Sequence, residues 1–403
     1  MKEKKQAKVA FLTAGGIAPC LSAAIGSLVI AYDKVFPDIK MIGYLNGYRG
    51  LLLGNSIDIS SKTRKNATRL LNFGGSPIGN SRVKLTNPKD CLNRGFIKEG
   101  QDPVLVAANQ LLIDEVNILH TIGGDDTNTM AAELVSRLAQ MGVNLTVVGL
   151  PKTIDNDVTP IVQTLGASSA AEQGAIFFEN IVNENTTSHR QLLIHEVMGR
   201  HCGWLTAATA QKYRERLEKR TFVPEILLSH DRWDIDAIYV PENNIDFSSE
   251  CTRLKDRMDK KDGVNIFLSE GAGIDTIVKE MEASGEEVER DAFGHVKLDY
   301  INPGHWFAKK FGKELEADKI LVQKSGYFAR SAAANKEDLL LIKNSAEMAV
   351  NHALQGNSGV IGLDMENGSK LSLIDFNRIA GGKPFDTKDP WFEKTLMDIG
   401  QHN

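Results

Sequence analysis

Short apolar runs alternate with amphipathic stretches along most of the chain, and the runs end in turns that carry glycine or proline. Lys8 to Thr13 reads as a first strand, followed by a Gly-Gly turn and a helix over Leu21 to Asp33. The unit recurs at Val116 to Thr121, with Gly123-Gly124 and a helix through Gln140, and again at Leu145 to Leu150, closed by Pro151. Gln191 to Glu196 and Val264 to Leu268 read as further strands, with helices over Ser168 to Val182 and Phe307 to Glu316. Strands alternating with helices predict an α/β fold around mainly parallel sheets. In such sheets ligands sit beyond the carboxyl ends of the strands, so the turns are where chemistry is expected.

At 403 residues and 42% hydrophobic content the chain is longer than one core usually organises, which predicts two domains. The formal net charge of −5 favours neither nucleic acid nor an anionic membrane as partner, so any phosphate site must be locally positive. Cys20, Cys91, Cys202 and Cys251 form no CxxC pair, which argues against a zinc site or a disulfide framework and fits a reducing cytoplasm. The basic start MKEKKQAK leads straight into an apolar strand with no signal-peptide core, and no stretch has the length of a membrane helix.

The first turn, TAGGIAP from Thr13 to Pro19, can bring backbone close to an anion at a helix start; a plain tight turn explains it equally well. It is neither a Walker A motif nor a dinucleotide fingerprint. GGSPIGNSR closes on Arg82, whose planar fork suits phosphate oxygens, or on an ordinary solvated arginine. HTIGGDDTNT is more specific, because Asp125 and Asp126 stand together at the carboxyl end of a strand. Carboxylates beside phosphates need a hard cation between them, which makes Asp125 a candidate Mg²⁺ ligand; helix capping explains one acid better than two. GLPKTIDNDVTP then packs Lys152, Thr153, Asp155 and Asp157 into six residues. Asp155 or Asp157 can serve as a general base and Lys152 as a cation for phosphoryl transfer, whereas a loop of Asx turns would account for the aspartates alone.

GGDDT, PKTIDND and MGRHCGW from Met198 to Trp204 together resemble the phosphofructokinase family, and the likeness runs from TAGGIAP to QKSGYFARS at Gln323 to Ser331. The whole chain is similar to the bacterial pyrophosphate-using branch. The resemblance implies two doubly wound, mainly parallel-sheet α/β lobes. Residues 1–165 would form a phosphoryl-donor lobe, rejoined by a segment after about 330, and 166–330 a sugar-phosphate lobe onto which the C-terminal segment packs back. It also implies Mg²⁺ as cofactor and reversible transfer from pyrophosphate to fructose 6-phosphate, in glycolysis and gluconeogenesis.

By the same resemblance Asp155 accepts the proton of the sugar 1-hydroxyl, with Thr153 holding the substrate near it. Gly15, Arg82, Lys152 and Asp125 cradle magnesium pyrophosphate. Met198, Gly199, Arg200 and Glu270 line the sugar, and Lys324, Tyr327 and Arg330 clamp its 6-phosphate. In the ATP-using branch glycines stand where this chain has Asp126 and Lys152, so that pair is expected to select the donor. Cys20 and Ser22 replace a glycine and an amide of the wider family's first turn, in keeping with a donor that lacks a nucleoside. YVPE, ending at Glu242, resembles part of an effector site in regulated members. His120, His195, His295 and His305 lack metal-ligand spacing and are expected to be structural. A homodimer or homotetramer in the cytoplasm is expected. The alternatives are an ATP-dependent 6-phosphofructokinase, a non-catalytic sugar-phosphate sensor, and a kinase of another GGD type, whose kin lack the PKTIDND and GYFAR partners.

Overall fold

In the computed structural model the described residues are 7–289 and 298–401, so His295 lies outside them. The chain forms two compact units, Met1–Ser169 with Arg330–Lys383, and Ala170–Ala329 with Pro384–Asn403. The strands are β1 Lys8–Thr13, β2 Lys40–Tyr44, β3 Ser56–Asp58, β4 Ile118–Gly123, β5 Thr146–Pro151, β6 Gln191–Val197, β7 Ala237–Tyr239, β8 Gly263–Ser269, β9 Lys319–Lys324, β10 Gly359–Asp364 and β11 Lys370–Ile374.

The first unit is built on a sheet ordered β11-β10-β5-β4-β1-β2-β3, parallel except for its two outer strands. β1, β4 and β5 are buried almost throughout because both their faces are covered, as parallel strands require. The chain leaves β1 for β2 on one side and later returns to β4 on the other, so the order reverses between β1 and β4. That switch point places the turns after β1 and β4 next to each other, where α/β sheets bind ligands. Behind it, Tyr44, Tyr48, Leu111, Leu119, Leu134 and Val147 belong to one continuous core.

The second unit carries an all-parallel sheet ordered β7-β8-β6-β9. β6 and β8 are buried throughout, and the core includes Leu192, Ile194, Ile266, Leu268, Phe307 and Phe311. β6 lies between β8 and β9, so the turns after these three strands share one end of the sheet.

The five strands read from the sequence are present, with ends shifted by up to two residues. The six others escaped the apolar-run criterion. β9, KILVQK, is an edge strand with an exposed lysine at its end, and β3 is exposed along its length. The helix read from Phe307 begins at Pro303, where proline fills the first helical position without losing a needed N–H.

His120 and His195 are buried and hydrogen-bonded, His120 to Tyr32 Oη at 2.7 Å and Val148 O at 3.0 Å, and His195 to Ser325 Oγ at 2.7 Å. Burial pulls their pKa values down, to about 4 and about 3. Both are neutral structural groups at physiological pH, while His305 is exposed. No helix among the described residues is long and apolar enough to cross a membrane.

Candidate active site

In the first unit the turn after β1 closes against the segment that carries Arg82. Ala14 pairs with Ser81, and the Gly15 N–H donates to Ser81 O at 2.9 Å. What glycine supplies at position 15 is therefore room and a φ of +87° rather than a free N–H. A Cβ there would stand 3.2 Å from the Lys152 ammonium, and one on Gly16 would stand 3.7 Å from the Arg82 guanidinium. Lys152 follows β5, and its Nζ donates to Gly16 O at 2.6 Å. Glycine turn, lysine and arginine thus form one positive pocket.

Lys152 is only 3% exposed. Burial is the main reason its pKa is pushed down to about 8, with Arg82 acting in the same direction and Asp155 and Asp157 opposing. Anionic phosphate entering this pocket would restore the charge that burial weakens.

The turn after β4 supplies the acids. Helix Asp125–Gln140 has Gly124 at its N-cap, so neither aspartate is the capping residue; both occupy the first turn. Asp125 is half-buried and Asp126 exposed. Burial raises the pKa of the Asp125 carboxyl, the Asp126 N–H opposes this, and the charges of Asp126 and Asp157 add to the rise. A cation would relieve that repulsion. Gly381 presses on the same carboxylate: a Cβ there would meet Asp125 Oδ2 at 2.1 Å. Among the described residues no cluster of three or more His, Cys, Asp or Glu forms a metal cage. The chemistry fits Mg²⁺, which takes one or two carboxylates and completes its shell with water and substrate phosphates. Asp126 is paired with Lys84, Nζ to Oδ2 at 2.6 Å.

The PKTIDND segment is braced from several sides. Asn156 sits at φ +56°, a conformation asparagine tolerates, and its side chain bonds Val162 O at 3.0 Å and the Thr164 N–H at 2.9 Å. Thr164 Oγ1 donates to Thr153 O at 2.7 Å, the Asp155 N–H to Thr153 Oγ1 at 3.1 Å, and the Lys383 N–H to Asp157 O at 2.9 Å. Asn156 reaches six and eight residues ahead, to Val162 and Thr164, and so braces the loop rather than forming an Asx turn. It leaves Thr153 and Asp155 half-buried on a fixed backbone, which is what a general base needs.

In the second unit the turns after β6 and β8 touch. Gly199 has φ +136°, and a Cβ on Gly271 would lie 1.9 Å from Arg200 O, so only glycine allows the approach. The Gly199 N–H faces Glu270 Oε1 at 3.4 Å, and Ser269 Oγ donates to Gly199 O at 2.5 Å. Burial raises the Glu270 pKa, Glu196 adds to it, and Lys324 and Arg200 counter it. Met198 and Arg200 are half-buried in the loop before helix Trp204–Leu217. A Cβ on Gly326 would meet the Met198 side chain at 2.9 Å. Lys324 ends β9, and its ammonium lies 2.8 Å from Glu196 Oε1 and 3.1 Å from Asn302 Oδ1. Tyr327 is exposed in the single-turn helix Gly326–Arg330 that Arg330 closes.

Sequence reasoning missed Lys84, Glu196, Asn302 and Gly381. Each touches one of the expected site residues, and none stands in a motif dense enough to signal itself. Glu242 has a local role: its carboxylate accepts the Gly203 N–H at 3.0 and 3.1 Å, at the N-cap of helix Trp204–Leu217, and the Phe385 N–H at 2.9 Å.

A family profile described as Phosphofructokinase matches residues 8–353. A protein of Methylotuvimicrobium alcaliphilum named pyrophosphate–fructose 6-phosphate 1-phosphotransferase is 58% identical over 98% of this chain and 97% of its own length. One of the same name from Propionibacterium freudenreichii subsp. shermanii is 56% identical, covering 98% of both. The crystal structure of a pyrophosphate-dependent phosphofructokinase from Nitrosospira multiformis superposes with a TM-score of 0.71 at 18% identity, covering 99% of this chain and 92% of that one, and speaks for the fold alone. With its glycine turn, paired acids and PKTIDND loop assembled at one switch point, the chain belongs to the phosphofructokinase family.

Proposed function

We propose that this chain is a pyrophosphate:fructose 6-phosphate 1-phosphotransferase, making fructose 1,6-bisphosphate and phosphate reversibly. The names of relatives 56–58% identical over nearly the whole chain support the activity. The observation that carries the choice of donor is the buried Lys152 ammonium, bonded to Gly16 O inside the glycine turn. It occupies the pocket with positive charge suited to a compact phosphate.

Lys152 and Arg82 hold the diphosphate beside Gly15 and Gly16, and Asp125 would hold Mg²⁺. The cation, when bound, neutralises charge on the diphosphate oxygens. Met198, Gly199, Arg200 and Glu270 receive the sugar, with Lys324, Tyr327 and Arg330 on its 6-phosphate. Asp155 takes the proton from the 1-hydroxyl, with Thr153 holding the sugar near it. The sugar oxygen then forms its bond to the terminal phosphorus as the bridging P–O bond breaks, and phosphate leaves towards Lys152. Positioning and charge compensation carry this transfer, and no phosphoenzyme is required.

Asp126 and Lys152 select the donor, Asp126 by placing a carboxylate where a nucleotide's phosphate would have to pass. The enzyme works as a homodimer or homotetramer. The hairpin at Val223–Leu228 exposes Val223, Ile226, Leu227 and Leu228 together, an apolar patch that suits an interface. Four free cysteines suit a reducing cytoplasm. Phosphorus NMR of the protein with Mg²⁺, pyrophosphate and fructose 6-phosphate tests the reading: the bisphosphate and phosphate should appear one for one. Phosphate released without the bisphosphate would refute it.

A further inference from the structure

Asp338 stands in none of the turns that the sequence singles out, yet it is fully buried. It lies in the first turn of helix Lys336–Leu354, whose cap is Asn335; Asn335 Oδ1 accepts the Asp338 N–H at 2.9 Å. The Asp338 carboxylate serves another segment. Oδ1 accepts the Gly166 N–H at 3.1 Å, and Oδ2 accepts the Ser169 N–H at 2.8 Å and Ser169 Oγ at 2.5 Å. A buried carboxylate with three donors is a fixed anchor, because removing it strands those donors without water.

What it anchors bears on the donor pocket. Gly166 has φ +92°, and the place a Cβ would take is 3.2 Å from Ala18 Cβ and Pro19 Cδ and 3.3 Å from Cys20 Sγ. Its neighbour Leu165 pairs with Lys152, donates its N–H to Pro151 O at 2.9 Å, and accepts the Cys20 thiol at 3.3 Å. Leu165 and Gly166 therefore touch both supports of the Lys152 side chain, its own backbone and the turn whose Gly16 carbonyl receives its ammonium, beside the Lys152 N–H bond to Gly123 O at 2.9 Å and the Gly15 N–H bond to Ser81 O at 2.9 Å.

We propose that Asp338 is a positioning residue of the donor site, pinning Gly166 so that Lys152 is held against the Gly16 carbonyl. The claim rests on the reading of Lys152 as a pyrophosphate ligand, and deepens it. An anchor of helix ends alone would lower stability without singling out Lys152.

The test compares Asp338→Asn and Ser169→Ala with the unaltered chain. Brief acylation by a small amine-reactive reagent, read by mass spectrometry, reports Lys152 directly. Lys261, paired with Asp236 at 2.9 Å and 12% exposed, is the internal control. In Asp338→Asn the labelling of Lys152 should rise about tenfold with Lys261 unchanged, and KM for pyrophosphate about tenfold with KM for fructose 6-phosphate within about twofold. Ser169→Ala, which removes one of the three donors, should shift both readouts the same way by less, and it decides the matter if Asp338→Asn does not fold. Unchanged Lys152 labelling, or equal rises at Lys152 and Lys261, would overturn the proposal. Absence of pyrophosphate turnover in the unaltered chain would sink the reaction assignment instead, leaving the labelling ratio to judge Asp338.

Discussion

Lys84 Nζ lies 2.6 Å from Asp126 Oδ2, so the second acid of GGDDT is held by a lysine rather than turned freely towards solvent. Both side chains are about half exposed, and such a pair contributes little to stability. Its consequence is directional, since it fixes where the carboxylate points. Replacing Asp126 by glycine should therefore open a path for a bulkier donor. Steady-state assays of Asp126→Gly should show ATP-supported turnover above that of the unaltered chain, and Lys152→Gly should lower pyrophosphate turnover. No change in donor use in either variant would contradict the role given to the pair.

In the proposed reaction Asp155 is the base, on a braced loop, and its removal should affect the chemical step. Asp155→Asn should lower kcat by about 10²–10⁴-fold while KM for fructose 6-phosphate changes little. A loss confined to KM would assign Asp155 to binding.

The pKa of Lys152 is pushed down to about 8 by burial, so its proton is lost from the folded protein before that of an ordinary lysine. The kcat/KM for pyrophosphate should then fall as pH rises through about 8, since that ratio reports the free enzyme. Lys152→Arg keeps a charge that does not titrate there and should move the falling limb to higher pH. For stability the sign is opposite. The unfolded chain keeps this proton up to its usual 10.5, so the cost of burying the ammonium is full below pH 8 and is relieved between about 8 and 10.5. A limb that stays in place in Lys152→Arg would assign it to another group.

Gly381 leaves no room for a side chain beside Asp125, because a Cβ would fall 2.1 Å from Oδ2 and 2.6 Å from Cγ. Gly381→Ala should displace that carboxylate and raise the Mg²⁺ concentration for half-maximal rate about tenfold, a loss of the size seen when a ligand's support is removed. An unchanged Mg²⁺ dependence would remove Asp125 from the metal site.

Much of this was legible in the sequence where local pattern and chemistry coincide. β1, β4 and β5 are buried on both faces and mostly apolar, and the turns after them carry Gly15, Asp125 and Lys152. β9 was not legible, because a half-exposed edge strand has neither an apolar run nor a clean alternation. Asp338 and Glu196 were hidden for a different reason. A buried carboxylate that accepts N–H groups from a distant segment looks, in sequence, like any acid in a helix or strand. Glu242, which in sequence resembles part of an effector site, also accepts the Gly203 N–H at the start of a helix, a contact that no motif announces.

Donor choice is read from the initial rate with saturating fructose 6-phosphate and Mg²⁺, using pyrophosphate or ATP at equal concentration. Turnover with pyrophosphate should be rapid and the rate with ATP at least about a hundredfold lower, the discrimination expected of a carboxylate set against a nucleotide phosphate. Comparable rates with the two donors would contradict it.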